Sequence, residues 1–281
     1  MSRPGSHGTL LTVAPTGAEH DKADVPRLPV TVEELVATAR VCEQVGASVV
    51  HVHTRGDDTR PTLDLGRVRD TVHALREQTS LIVRLSTGAV TDPEADRLRV
   101  LDALPDSATC PLGAADDGGD SLPDRWEFAV ALHRAMRERG ILPEYEVRDL
   151  GGLASLSRLL DEHGPPAGGQ VHVGLVLGAP GGMPGDVVTL VAALRLLPAG
   201  ASFSATGIGR TSLPVMLASL SAGGHLRVGM QDTTTYAEGQ PVRDNAQLVA
   251  RAAGLAKIAQ RPPLSPVEAR ELLGVRGPVQ V

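Results

Sequence analysis

Aromatic side chains are nearly absent from this chain: two Phe, two Tyr and one Trp make up 2% of 281 residues. Proteins that hold single-stranded nucleic acid stack bases on aromatic rings, so the composition excludes such a surface. Clusters of Lys and Arg are lacking too, and the formal net charge is −6. A nucleic acid or an anionic membrane would be repelled rather than gathered, and neither is expected as a partner. Lysine is confined to Lys22, in the first loop, and Lys257, in the last helical stretch. An imine-forming aldolase needs a lysine amine at its site, which disfavours covalent carbonyl chemistry of that kind. Cysteine is limited to Cys42, inside a helical pattern, and Cys110, near a strand end. Such a pair makes no disulfide framework and suits a reducing compartment. Cys110 has no histidine beside it in sequence to activate it as a nucleophile. No apolar run reaches membrane-spanning length, and the opening "MSRPGSHGTLLTVAP" lacks the apolar core of a secretion signal. The expected location is the cytoplasm.

What the chain does have is ordinary globular material, 42% hydrophobic, enough to bury a full core. Short β-branched runs alternate with amphipathic stretches. Strand patterns fall at 9–15, 48–54, 81–87, 107–113, 142–148, 170–178, 202–208 and 226–230. Helical periodicity occupies 31–45, 64–77, 92–103, 124–139, 153–163, 185–196, 212–222 and 245–259. Eight strand-helix units in this length predict an α/β fold, a (β/α)8 TIM barrel, with a doubly wound open sheet as the alternative. Punctuation such as "HGPPAGG" and "PGGMPGD" falls between elements and marks no linker, so residues 1–281 read as one domain.

Barrels of this type do their chemistry at the C-terminal ends of the strands. Polar groups collect there: Glu19 after the first strand, His51, His53 and Arg55 at the second, Ser86 and Thr87 at the third, and Thr109 at the fourth. Glu144 and Glu146 follow on the fifth, "TGIGR" after the seventh and "RVGMQD" at the eighth. In "VVHVHTRGDD", His51 and His53 stand two apart, so a strand sends both imidazoles to one face. Neutral imidazoles hold a divalent transition ion once at least one more ligand joins them. Glu144 and Glu146 share a face either as functional carboxylates or as structural ion-pair partners of arginines. His172 within its strand, and His225 beside Gly223 and Gly224, read as structural. The glycines of "GIGR" let a backbone approach a phosphate or simply make a tight turn.

"TGAEHDKADVPRLPVT", "VVHVHTRGDDTRPT", "VRLSTGA", "VLGAPGGMPG", "SATGIGRTSLP", "GGHLRVGMQD" and "NAQLVARAAGLAKIAQRPPLSPVEARELLG" together resemble the β-keto acid cleavage enzymes, in the same order, over residues 9–274. The resemblance implies a barrel that binds Zn2+ or a similar divalent ion, condenses a β-keto acid with acetyl-CoA, and releases acetoacetate and a new acyl-CoA. By position it implies metal histidines at His51 and His53, catalytic groups at Asp232, Arg227 and Glu146, and substrate-facing groups at Glu19, Ser86 and Thr109. It also implies a homo-oligomer, and "LVAALRLL" at 190–197 is an apolar outer-helix pattern that association would cover.

At two positions the chain departs from that pattern. Where the family reads "GxED" after the last strand, this chain reads "GMQD", with Gln231 at the glutamate that completes the metal site. Where the family has "LNxG", this chain has "CPLG", with Pro111 in the Asn position. An amide oxygen is a weaker zinc ligand than a carboxylate, so Gln231 is expected to ligate weakly or to hold the ion's water, with Asp232 or Glu19 as the alternative anion. The rival readings are a barrel that binds a small keto acid without turnover, and a metal-dependent aldolase or hydrolase indifferent to coenzyme A.

Overall fold

Branching at Cβ fits a pleated, buried surface, and the valine-rich runs of the sequence become short strands. The computed structural model of the protein describes residues 8–117, 120–123 and 126–275. Its strands are β1 (Leu11–Val13), β2 (Val49–Val52), β3 (Ile82–Leu85), β4 (Ser107–Leu112), β5 (Ala114–Asp117), β6 (Asp120–Pro123), β7 (Leu142–Val147), β8 (His172–Leu177), β9 (Ser202–Gly207), β10 (His225–Val228), β11 (Thr235–Ala237) and β12 (Gln240–Pro241). Eight of them close into a parallel barrel in the order β1-β2-β3-β4-β7-β8-β9-β10, which is the (β/α)8 TIM-barrel topology. The other four pair as the hairpins β5-β6 and β11-β12. Neither hairpin is visible as a separate unit in the hydrophobic pattern, and β11-β12 has no buried residue.

The helices are α1 (Val32–Gln44), α2 (Leu65–Gln78), α3 (Glu94–Arg99), α4 (Trp126–Arg139), α5 (Leu150–His163), α6 (Val187–Leu194), α7 (Ser212–Ser221), α8 (Asn245–Ile258) and α9 (Pro266–Leu273). Polar residues fix where they start. Thr31 and Glu34 form a reciprocal capping box on α1, and Asp149, Asp186 and Asp244 accept backbone N–H groups at the starts of α5, α6 and α8. The helix expected over 92–103 tightens to a 3-10 turn at Val100–Ala103, and α6 ends two residues before its predicted limit. The first two positions of the helix expected over 124–139 lie outside the described residues. α9 was not among the periodic stretches. At eight residues it is too short for periodicity to register, and its signals are the Ser265–Glu268 capping box, Pro266 in its first turn and Gly274 at its end.

Strand alternation divides the barrel wall into two faces. Val50, Val52, Val83, Leu85, Ala108, Cys110, Tyr145, Val147, Val173 and Leu175 face outward into one apolar cluster with Leu35, Leu75, Leu132, Leu156, Leu190 and Leu248 of the helices. Each such Val or Leu contributes about 1.5–3 kcal/mol by leaving water. The intervening residues face the barrel axis. In register they run His51 beside Arg84, Arg84 beside Ser107, Thr109 beside Glu144, and Glu144 beside His172. At the N-terminal ends of the strands, Leu10, Val49, Ile82 and Leu142 pack on Leu264, Ala269 and Leu273, so α9 closes that end. The opposite end is the one open to a ligand. No helix among the described residues is long and apolar enough to cross a membrane.

Candidate active site

A cavity of about 760 Å3 opens at the C-terminal ends of the strands. Glu19, His51, His53, Ser86, Thr109, Glu146 and Gln231 all line it, so seven of the nine residues selected from sequence meet at one place. Arg227 and Asp232 lie beneath its wall, joined to Glu146 by hydrogen bonds.

The valine alternation of β2 turns His51 inward, and His53 follows on the same side just past the strand end. Their rings stand 5.1 Å apart at 70°. Burial drives the proton off both: His51 titrates well below the usual imidazole range, with Arg227 adding to the effect, and His53 is lowered to about 4 although Glu19 pulls the other way. Both are therefore neutral at physiological pH, the state in which imidazole binds a metal. His51 Nδ1 is buried without a partner. His53 Nε2 faces the Gln231 side-chain nitrogen at 3.2 Å, and Gln231 Oε1 is also buried without a partner. Gly17, at φ +69°, makes room for this arrangement, since a Cβ there would come within 2.6 Å of Gln231 Cγ. Among the described residues no group of three His, Cys, Asp or Glu side chains is placed to hold a metal ion. The third group beside the imidazole pair is an amide.

Beside them an alternating chain of charge is built from two strand ends, those of β7 and β10. Arg227, on β10, donates through Nε and Nη2 to the two oxygens of Asp232 at 3.2 and 2.9 Å, and through Nη1 to Glu146 Oε2 at 3.1 Å. Glu146, on β7, accepts from Arg148 Nε and Nη2 at 3.3 Å through its other oxygen. The turn that brings Asp232 back over Arg227 depends on Gly229, whose missing Cβ would stand 1.9 Å from the Ala14 carbonyl oxygen. The two acids differ in proton affinity. Burial raises the pKa of Asp232 against the pull of Arg227, whereas Arg148 and Arg227 overcome the burial of Glu146 and hold it below the usual carboxylate range.

Ser86 Oγ accepts from the Gly88 N–H at 3.3 Å, and Thr109 Oγ1 accepts from the Thr87 N–H at 3.1 Å. Glu19 Oε2 accepts from the Ala18 N–H at 3.1 Å, on the loop after β1. Pro111 also lines the cavity, opposite Glu146 in register. Glu144 separates from Glu146 in environment: it is fully inside the barrel, ion-paired with Arg84 Nη1, while Arg84 Nε donates to Ser107 Oγ at 3.2 Å. The structural reading thus holds for Glu144. His172 bonds Ser202 and Ser204 through its two nitrogens at 2.8 and 2.9 Å, and His225 Nδ1 accepts from the Leu10 N–H at 3.0 Å. Both are scaffold histidines, as the sequence indicates. Cys42 is buried, its thiol pushed up to about 12, and Cys110 is buried in the outer core.

Three arginines matter here beyond the residues selected for the site: Arg55 was noted only as a polar group at a strand end, and no motif marked Arg84 or Arg148. Arg55 binds the carbonyls of Gly17, His20 and Thr59 at 2.6, 2.9 and 2.9 Å, tying the Glu19 loop to the loop after β2. Arg84 forms the floor under His51, and Arg148 lines the cavity. A signal existed for the second: an arginine inside the apolar run "LIVRLST" must be paired in a barrel interior.

A sequence model of the β-keto acid cleavage enzyme family matches residues 9–275. The 3-keto-5-aminohexanoate cleavage enzyme of Acetoanaerobium sticklandii is 34% identical over 269 residues, covering 95% of this chain and 98% of that protein. The 3-oxoadipate:acetyl-CoA acetyltransferase of Cupriavidus necator is 30% identical over 273 residues, covering 95% of this chain and 94% of that protein. Among solved structures, a ternary complex of ObcA with a C4-CoA adduct and oxalate superposes with a TM-score of 0.78 at 19% identity, over 89% of this chain and 68% of that one, a likeness of fold.

Proposed function

Since the chain belongs to the β-keto acid cleavage enzyme family, we propose that it condenses a β-keto acid with acetyl-CoA and splits the product into acetoacetate and a new acyl-CoA. The observation that carries this reading is the buried Glu146–Arg227–Asp232 chain set at the mouth of the barrel beside a neutral imidazole pair. Two bond exchanges account for the overall change. Carbon 2 of the keto acid loses a proton and attacks the thioester carbonyl, expelling the CoA thiolate. The thiolate then attacks the original keto carbon, the bond between carbons 2 and 3 breaks, and carbon 2 regains a proton as acetoacetate.

Asp232 takes and returns that proton. Burial has raised its proton affinity, and Arg227 holds both of its oxygens in place. Glu146, kept ionised, anchors the far side of Arg227 so that the guanidinium cannot swing away from Asp232. Ser86 and Thr109 present hydroxyls to the acid, and Glu19 faces its side chain across the cavity. His51, His53 and the unpartnered Oε1 of Gln231 would hold Zn2+ or a similar divalent ion, a fit made by neutral imidazoles and an oxygen that lacks any other partner. Such an ion, when bound, supplies Lewis-acid polarisation of a keto oxygen.

Acetyl-CoA as co-substrate suits a cytoplasmic enzyme. We also take the protein to be a homo-oligomer: Val187, Val188 and Val191 of α6 and Leu213 and Leu217 of α7 are exposed, while Leu190 and Ala193 turn inward. Light scattering at micromolar concentration tests this, and a monomer would count against it.

The deciding experiment incubates the purified protein with acetyl-CoA and a panel of β-keto acids and separates the CoA esters by chromatography. Acetoacetate and one new acyl-CoA in equal amounts are expected for each accepted acid. Cleavage that ignores coenzyme A would mark an aldolase instead, and no reaction across the panel would leave a binding barrel.

A further inference from the structure

None of His51, His53 and Gln231 brings a charge to a divalent cation. An imidazole that lends its lone pair is neutral, and so is an amide oxygen, so the ion would keep its full charge in a buried place. The carboxylates nearby are held elsewhere. Asp232 gives both oxygens to Arg227, Glu146 is bonded to Arg227 and Arg148, and Glu19 turns one oxygen back to the Ala18 N–H of its own loop. Consistently, no three His, Cys, Asp or Glu side chains gather to hold a metal among the described residues.

Gln231 also competes with the ion. Its side-chain nitrogen, which only donates, faces His53 Nε2 at 3.2 Å, while its Oε1 is buried without a partner. A cation seated between His53 Nε2 and Gln231 Oε1 must displace that hydrogen bond and turn the amide over. A glutamate at this position could not donate the bond and would bring the missing negative charge. The acid faces the complementary problem. A carboxylate leaving water needs a positive partner, and the cavity lining carries more carboxylates than guanidinium groups.

We propose that the divalent ion and the β-keto acid are mutually dependent ligands of this protein: the acid supplies the charge that Gln231 withholds, and each binds more tightly beside the other. The proposal rests on the cleavage reading for the nature of the acid and on the ion assigned to His51, His53 and Gln231. Arg99 and Arg148 line the same cavity and act on the acid whether or not the ion is present, so they cancel from a comparison made with and without it. Linkage makes the dependence reciprocal, with one factor describing both directions.

The test titrates Zn2+ calorimetrically into ion-free protein, without acetyl-CoA so that no turnover intervenes. The titration is run alone, with excess acetoacetate, and with excess acetoacetamide, the same skeleton without the charge; the affinity of each compound for Zn2+ in the same buffer is measured and subtracted. Acetoacetate is expected to tighten Zn2+ binding about tenfold or more, and Zn2+ to tighten acetoacetate by the same factor. The amide should change it by less than about twofold, because it brings no charge. Gln231→Glu should bind Zn2+ more tightly alone and reduce the effect of the acid to less than about threefold. Equal Zn2+ affinity with and without the acid would overturn the proposal and point to a protein carboxylate, Glu19 foremost, as the completing ligand. Equal help from acid and amide, the same coupling in Gln231→Glu as in wild-type, or no Zn2+ binding under any condition would overturn it as well. If Gln231→Glu does not fold, the comparison of acid with amide on wild-type protein decides. The two readings fail separately: coupled binding in a protein that cleaves nothing keeps the coupling and removes cleavage, whereas cleavage with acid-independent Zn2+ binding keeps cleavage and removes the coupling.

Discussion

The side-chain nitrogen of Gln231 meets His53 Nε2 at 3.2 Å, although the two residues lie 178 positions apart in the chain. An amide nitrogen only donates, so the imidazole accepts and carries its own proton on the other nitrogen. The contact shows that position 231 reaches the histidine pair and that what it brings is neutral. Gln231→Glu would add a negative charge at the same reach. Metal affinity should rise by about tenfold or more, which is about 1.4 kcal/mol. Competition titration of both forms with a chelator measures it. Equal affinities would place Gln231 outside the ligand set, and failure of both forms to bind an ion would remove the metal reading.

His51 and His172 both point into the barrel, yet their bonding differs. His172 satisfies Ser202 and Ser204, while His51 leaves Nδ1 without a partner. His172→Ala orphans the buried Ser204 hydroxyl, while Ser202 keeps the Val171 carbonyl, and should cost about 2 kcal/mol in urea unfolding. His51→Ala should abolish activity with a smaller loss of stability, because it borders the cavity and breaks no such network. If His51→Ala is instead the less stable of the two, its imidazole belongs to the scaffold.

The eight barrel strands were legible in the sequence because each is a β-branched run bounded by turn residues, and their inward members repeat with period two. The hairpins and α9 were not, since short elements carry too few residues for periodicity and are specified by caps and turns instead. Positions such as Glu146 and Asp232 were legible as residues that fit a family pattern. Their difference in proton affinity was not, because it arises from Arg148, Arg227 and burial, which only the closed barrel brings together. Arg148 itself sits one residue past a strand end, where an arginine is usually a solvated surface group, and nothing local distinguishes it.

Asp232→Asn tests the division of labour between the two acids. The amide keeps one oxygen for Arg227 and removes the base, so kcat should fall by about 100- to 10,000-fold with little change in KM. In wild-type protein the same group sets an acid limb: with its pKa raised, activity should decline on acidification before the ordinary aspartate range is reached. Glu146→Gln should also lower kcat, but without moving that limb toward neutral pH. A limb that survives unchanged in Asp232→Asn would assign the base elsewhere.

The scaffold histidines make stability depend on pH with a definite sign. His225 is buried, accepts the Leu10 N–H at 3.0 Å, and is pushed down to about 3 by burial and by Arg261. In the unfolded chain it titrates near its ordinary value of about 6.5. A depressed folded pKa means that the unfolded state binds the proton first, so the stabilising contribution is complete above about pH 6.5 and is lost as pH falls toward the folded value. Each pH unit within that window costs about 1.4 kcal/mol per proton taken up on unfolding. His133, lowered to about 4, acts in the same direction. His225→Asn retains an acceptor near Leu10 but cannot take up the proton. Urea unfolding between about pH 6.5 and pH 5 should therefore show a shallower loss of stability in the variant, by up to one proton's worth of slope, even if the variant is less stable at neutral pH. Parallel slopes would mean that His225 becomes charged inside the folded barrel, and its bond to the Leu10 N–H would then have to break on acidification.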